Sequence, residues 1–306
     1  MLELKKHIGQ GFGKGELYDV LVQLQNMALL TQGKVYYVWK GGNNTTGLSW
    51  ENAFTTIAAA ITAHTAYRAT ITSAQNSVDD YIIIAPATYD ENITALPYSC
   101  HMIGLGHIGT DKATEISPTA GIALAGTVSG LHLYNIRFEG EGTGDICDFG
   151  TFNCSIIENC QFVPKSTTMA SAISTDDCKE SMFINNRFTS GAGDLVCDYG
   201  IKFNGGANKY VHNTIVEGNI INGAVKAAGT GIYVASDCTG SGSVFRKNII
   251  RLTGAGTGID ENSDNVMIFD NYVFHVAGDA YDINAALAAQ NIDNNNGTVI
   301  DEPNMG

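Results

Sequence analysis

The chain repeats itself, and that narrows its folding options more than anything else in it. From residue 130 onward a six-residue pattern recurs: apolar first, Asn, Gly or Lys third, large and apolar sixth. It reads Leu133-Tyr-Asn-Ile-Arg-Phe138, Ile157-Glu-Asn-Cys-Gln-Phe162 and Phe183-Ile-Asn-Asn-Arg-Phe188. It returns as Val216-Glu-Gly-Asn-Ile-Ile221, Phe245-Arg-Lys-Asn-Ile-Ile250 and Phe269-Asp-Asn-Tyr-Val-Phe274. The steps between copies are 24, 26, 33, 29 and 24. A second series interleaves with the first. Ile146, Ile173, Ile201, Ile232, Ile259 and Tyr281 each open a short strand, at steps of 27, 28, 31, 27 and 22. Two strand series with one common period describe a chain wound into stacked coils.

Each such coil is too short to bury its own apolar residues and must lay them on the coil below. Neighbouring coils then pair as parallel strands ~4.8 Å apart, and inward positions become columns of Ile, Val and Phe. Asn at the turns can stack on Asn. A period near 27 between residues 82 and 286 gives roughly seven or eight coils. The handedness expected of parallel crossovers is right. The predicted fold is therefore all-β, a right-handed parallel β-helix, with variable steps placing insertions in one loop family.

The flanks differ in texture. Val35-Tyr-Tyr-Val-Trp39 reads as a strand. After it a capping helix is predicted near 51–65, with Ser49 as its cap, Glu51 near its positive end, and Phe54, Ile57 and Ile61 on one face. The column is expected over 34–286, and 287–306 reads as a C-terminal tail. In residues 1–33, Leu17, Val20, Leu24 and Met27 fall at 3-4-3 spacing, an amphipathic helix. Such a stripe packs either on its own domain or in a seam between identical chains. Two heptads do not hold a coiled coil alone. The stripe leaves both readings open, and residues 1–33 are expected to be a helical attachment segment contacting other proteins of the assembly.

Composition limits the partners. With 17 Lys+Arg against 31 Asp+Glu the net charge is −14, which repels phosphate backbones and anionic lipid, so neither nucleic acid nor membrane is expected. Seven cysteines, with no CxxC pair, do not make a disulfide scaffold, and the start lacks a signal peptide's apolar core. A reducing cytoplasm is the expected place of folding. Gly9–Gly15 lacks the Ser or Thr that a phosphate loop carries after its Lys, so it reads as an arm.

Gly47-Leu-Ser-Trp-Glu-Asn-Ala-Phe54, Ala85-Pro-Ala-Thr-Tyr-Asp-Glu-Asn-Ile93 and Ile103-Gly-Leu-Gly106 resemble the helix cap and first coils of pectin-lyase-like right-handed β-helices. Ala87 stands where that superfamily usually has Gly. The resemblance covers about residues 35–286. It implies a fold rather than an activity, since the fold hosts lyases, hydrolases, epimerases and inert spikes. With a helical N-terminus and a lean catalytic inventory, the chain looks most like a bacteriophage virion protein: a tailspike, head fibre or capsid decoration. Proteins of this build are usually homotrimers, found in the virion after assembly in the host cytoplasm.

Glycosidase chemistry on such a column needs two carboxylates ~5–9.5 Å apart. The best acids are Asp176 and Asp177, then Asp237, then Asp260 and Glu261. Turn aspartates commonly bond their own backbone, so these five are expected to be structural, without a pair sharing a cleft. A lyase would need Ca²⁺ and a basic residue, and no family signature surrounds Arg187, Arg246 or Arg251. His101, His132, His212 and His275 stand apart, so no metal is expected, and no cofactor. The function expected is a non-enzymatic structural virion protein, with host glycans as candidate partners. The alternatives are a polysaccharide lyase or glycoside hydrolase, and a glycan-binding adhesin.

Overall fold

The computed structural model describes residues 33–71, 79–108, 112–166, 169–191, 196–206, 209–275, 278–294 and 298–300. The stripe of Leu17, Val20, Leu24 and Met27 lies outside the described residues.

The chain winds into a parallel β-helix whose coils contribute strands to three faces. Ten segments stack in register on the first face, opening at Val35, Asp80, Cys100, Leu131, Ile156, Met182, Ile215 and Ser243 and ending in Val266–Phe269 and Leu287–Ala289. The second face runs from Ala87–Tyr89 through Arg137–Gly140 and Arg187–Thr189 to Asn291–Asp293. Its last member is Thr298–Ile300, which pairs antiparallel to Asn291–Asp293. The third face stacks Leu124–Ser129, Cys147–Asn153, Met169–Lys179, Cys197–Phe203 and Val225–Val234. The long strands Thr257–Phe269 and Tyr281–Ala289 turn from the third face into the first, which joins these two faces into one sheet.

The inward columns are those the repeat implies. Ile173, Ile201, Ile232 and Ile259 stack in register and are fully buried. Phe138, Phe162 and Phe188 stack ring on ring, with centroids 5.3 and 5.0 Å apart. Two registers differ from the sequence reading by one residue. Ile173 pairs with Cys147 rather than Ile146, and Phe245 with Ile268 rather than Phe269. The sixth copy is thus Ile268-Phe-Asp-Asn-Tyr-Val273, and its apolar ends then fit the inward columns.

That register explains the turns. The third residue of each copy is left-handed: Asn135, Asn159, Asn185, Lys247 and Asp270 have φ between 50° and 58°, and Gly218 takes the same place at 68°. Asn tolerates this conformation through local side-chain bonding. The fourth place, which the pattern left unassigned, is the buried one. Ile136 and Cys160 fill it in the early coils, and Asn186, Asn219, Asn248, Asn271 and Asn291 continue it, all fully buried. Each of the first four donates from Nδ2 to the next Oδ1 at 2.9–3.0 Å. Each of those Nδ2 groups also donates to a backbone carbonyl one coil back. A second ladder lines the turn from third to first face: the amides of Leu131, Ser155 and Thr214 donate to the hydroxyls of Ser155, Ser181 and Ser243 at 3.0–3.1 Å. Buried polar groups are costly unless bonded, and here their bonds run along the column axis.

The capping helix spans Ile57–Arg68, not 51–65, and its N-cap is Thr56, not Ser49. Residues just before it are spent on closing the first coil: Phe54 N donates to Tyr37 O at 2.9 Å and Trp39 N to Phe54 O at 2.8 Å. The carboxylate at its positive end is that of Glu91, which accepts from the amides of Ile57 and Ala58 at 2.9 Å each. Glu51 plays no such part. Ile57, Ala60 and Ile61 close over the end of the core. Beneath the helix Asp80 accepts from Lys34 N at 2.6 Å and Arg68 Nε at 2.7 Å. At the other end, parallel pairing continues past residue 286 to Asp293. All seven cysteines are free thiols; Cys154 is exposed and the others are buried.

Candidate functional site

The five acids singled out from sequence are not brought to one cleft. Asp176 and Asp177 lie inside the strand Met169–Lys179, and Asp260 and Glu261 inside Thr257–Phe269. Only Asp237 sits in a turn, exposed, between Val225–Val234 and Thr239–Ser241. The expectation that these acids are mostly exposed or bonded to nearby backbone N–H groups is therefore corrected for Asp176, Asp177, Asp260 and Glu261. Their partners are side chains. Asp176 accepts from Lys209 Nζ at 2.7 Å and Asn204 Nδ2 at 3.0 Å, and Asp177 lies 3.2 Å from Lys179 Nζ. Asp260 accepts from Asn262 Nδ2. Glu261 does not share a face with Asp260, because side chains alternate along a strand. It is fully buried, in register between Val234 and Ile283, and accepts from Ser263 Oγ.

What the structure does assemble is an outward column on the third face. Asp148, Ser174, Lys202, Tyr233, Asp260 and Asp282 follow one another in register over six coils. Five steps of ~4.8 Å make a strip on the order of 24 Å long. Beside it Tyr199 and Tyr233 pair with ring centroids 5.0 Å apart, and Lys202 Nζ lies 5.1 Å over the Tyr199 ring. Burial, then the neighbouring Asp176 charge, raises the Asp148 carboxyl above the usual range, against the pull of Lys202. Asp260 is raised by burial first, with the charge of Asp282 adding to it and the Asn262 bond opposing. Asp145 is raised too, chiefly by burial. Sequence reasoning named Asp176 and Asp260 here but missed Asp148, Lys202, Tyr199, Tyr233 and Asp282. The second repeat series contained the signal: Lys202, Tyr233 and Asp282 follow a strand-opening residue by one position, Asp148 follows Ile146 by two, and Tyr199 precedes Ile201 by two.

The histidines also depart from their expected isolation. His101 and His132 are in-register neighbours on the outer side of the first face, with their Nδ1 atoms 3.1 Å apart. His275 is instead paired, Nε2 to Asp293 Oδ1 at 2.9 Å. Among the described residues no group of three or more His, Cys, Asp or Glu is arranged to hold a metal ion.

No protein-family model matches the sequence, and no curated protein does. Solved structures to which it is similar include the following two. Pectate lyase Pel9A is similar at 13% identity and a TM-score of 0.48, over 84% of this chain and 79% of that one. Escherichia coli YbhC is similar at 14% identity and a TM-score of 0.43, over 78% of this chain and 71% of that one. The strand pairing defines the chain as a parallel β-helix.

Proposed function

We propose that this chain is a non-enzymatic structural column of the bacteriophage spike, fibre or capsid-decoration type, which holds a host-surface glycan along its third face. The observation that carries the reading is the dispersal of its acids. Asp176, Asp177 and Asp260 are engaged by Lys209, Asn204, Lys179 and Asn262, Glu261 is buried in the core and Asp237 is exposed in a turn, while two hydrogen-bonded ladders stitch the coils together. The paired Tyr199 and Tyr233 rings supply flat apolar surfaces for sugar faces. Asp145, Asp148, Asp260 and Asp282 around them favour an uncharged glycan over a polyanion.

Retention on a panel of neutral and acidic bacterial polysaccharides tests this, read together with release of reducing ends or unsaturated products. The reading expects binding to neutral polymers, weakened by Tyr233→Ala, with no release of product. Mass spectrometry of purified particles tests the virion assignment, which absence from particles overturns. The assembly proposed is a homotrimer held through residues 1–33. Light scattering should give a three-chain mass, reduced when Leu17, Val20, Leu24 and Met27 are all replaced by Ser.

A second reading, a polysaccharide lyase or glycoside hydrolase, is favoured by one observation. Asp260 and Asp282 are in-register neighbours, and the carboxyl of Asp260 is raised by burial and by that neighbour. Strand spacing puts such groups near the ~5 Å separation of a retaining pair. Product release that disappears in Asp260→Asn would establish it in place of the first.

A further inference from the structure

We infer that the outer side of the first face is a seat for residues 18–29 of its own chain, held through Tyr18, Val22 and Leu29. The argument starts from which residues point outward. Val35, Tyr81, His101, His132, Ile156, Met182, Ile215, Val244 and Met267 follow one another in register on that side. From Ile156 to Met267 every member of this column is apolar and half-buried. A sheet with one side on a core and the other in water carries polar residues outward. The third face does so, with Asp148, Ser174, Lys202, Tyr233, Asp260 and Asp282 in its outer column. The first face does not. Its upper rows show what such a surface takes: Trp50 and Leu105 pack against Tyr81, Ile83 and Ile103, which form a second small core on the outer side.

Size decides between occupants. Eight steps of ~4.8 Å make the strip on the order of 38 Å tall and ~10 Å wide, about 400 Å². Two copies laid face to face would bury about 800 Å², short of the ~1,200 Å² at which specific interfaces begin. A tethered segment needs less, because its effective concentration is already on the order of millimolar.

Residues 1–32 lead into the top of this strip, through Gly33 and Lys34 to Val35. As a helix, Glu16–Leu30 is about 22 Å long, the height of four to five rows. The link from Leu30 to Val35 reaches ~17 Å when extended, which sets the end of the helix as low as the His132 row. The segment then lies over Ile156, Met182, Ile215 and Val244. Its sequence has two apolar sides. At 3.6 residues per turn Tyr18, Val22 and Leu29 fall within about 40° of one another, and about 160° round from the middle of the Leu17, Val20, Leu24 and Met27 stripe. With the first group on the column, the stripe faces away from it, where the assembly proposed above would use it. The seat does not depend on that assembly.

Met182 stands within the seat, and Met169 is fully buried in the core. Peroxide oxidation of the full chain, read by mass spectrometry, tests the cover. Tyr18→Asp, Val22→Asp and Leu29→Asp combined should speed Met182 oxidation by about threefold or more and leave Met169 slow. An unchanged Met182 rate would overturn the inference. Light scattering on the same variant reads the assembly separately, since the Leu17, Val20, Leu24 and Met27 stripe is intact. A second measurement needs no disruptive substitution. Val22→Cys and Ile215→Cys, with the exposed Cys154 replaced by Ser, are treated with a short bismaleimide. The two should link while the denatured product keeps the mass of one chain. A two-chain product places the segment on another copy, and either that or the absence of a link would overturn the inference.

Discussion

Replacing Asn248 by Ala should cost the column far more than the loss of one amide suggests. Asn248 is fully buried. Its Nδ2 donates to Val216 O and to Asn271 Oδ1, both at 2.9 Å, and its Oδ1 accepts from Asn219 N at 3.1 Å and Asn219 Nδ2 at 3.0 Å. Alanine strands the Asn219 backbone N–H and one proton of Asn219 Nδ2 in a place water does not reach, while that Nδ2 keeps its bond to Phe183 O at 2.8 Å. Asn271 Oδ1 keeps the backbone amide of residue 248. A stranded buried group costs about 1–3 kcal/mol, so two unmet donors give a loss of about 2 kcal/mol at the least. Guanidinium unfolding followed by circular dichroism measures it, with Asn222→Ala as the control. Asn222 is exposed on the strand that leaves the neighbouring turn, one coil back. The control should change stability by less than about 0.5 kcal/mol. If Asn248→Ala falls within that margin of the control, the ladder is not what secures the turns.

Three further outcomes follow from other parts of the column. His64 and His132 are both lowered from 6.5 to about 4, burial being the first cause in each. The unfolded chain therefore takes up these protons first; stability should fall as pH drops from 6.5 towards 4, by on the order of 2–3 kcal/mol per histidine. Melting temperature against pH reads this, and His64→Gln should flatten part of the slope. Arg68→Met leaves Asp80 buried and charged, 1% exposed, without its main cation. Denaturant titration should show a loss of about 3–5 kcal/mol. Glu180 is exposed and left-handed, φ 52°. Glu180→Asn should raise stability by about 0.5–1 kcal/mol, since Asn adopts that conformation more readily.

Most of the fold was legible because a solenoid writes its third dimension into its period. Residues that stack are one step apart in sequence, so the columns through Phe138, Phe162 and Phe188 and through Ile173, Ile201, Ile232 and Ile259 follow from the period alone. Single-residue register was less legible. Phe269 and Ile268 are equally apolar, and only the placement of Asn271 under Asn248 decides between them. The helix was misplaced because Trp50 to Phe54 has helical composition, yet its backbone is needed to close the first coil. The acids were misassigned for a related reason. Asp177, like Asp237, reads as a turn residue because Asp favours turns, whereas the third face carries the longest strands and keeps Asp177 extended. The contact between His101 and His132 was hidden by their spacing: 31 positions apart in sequence is one turn of this chain.

The asparagine column has a bearing on how such a molecule changes length. Asn186, Asn219, Asn248, Asn271 and Asn291 offer the same donors and acceptors upward and downward, so any rung fits any other. Removing a whole turn, residues 187–219 for example, would bring rung 186 onto rung 248 with every bond re-formed. The column would shorten by one strand spacing of ~4.8 Å. Adding a turn would lengthen it by the same increment. The molecule is thus a ruler graduated in single coils, and natural relatives of different reach can arise by duplication or loss within the repeat while both ends stay unaltered.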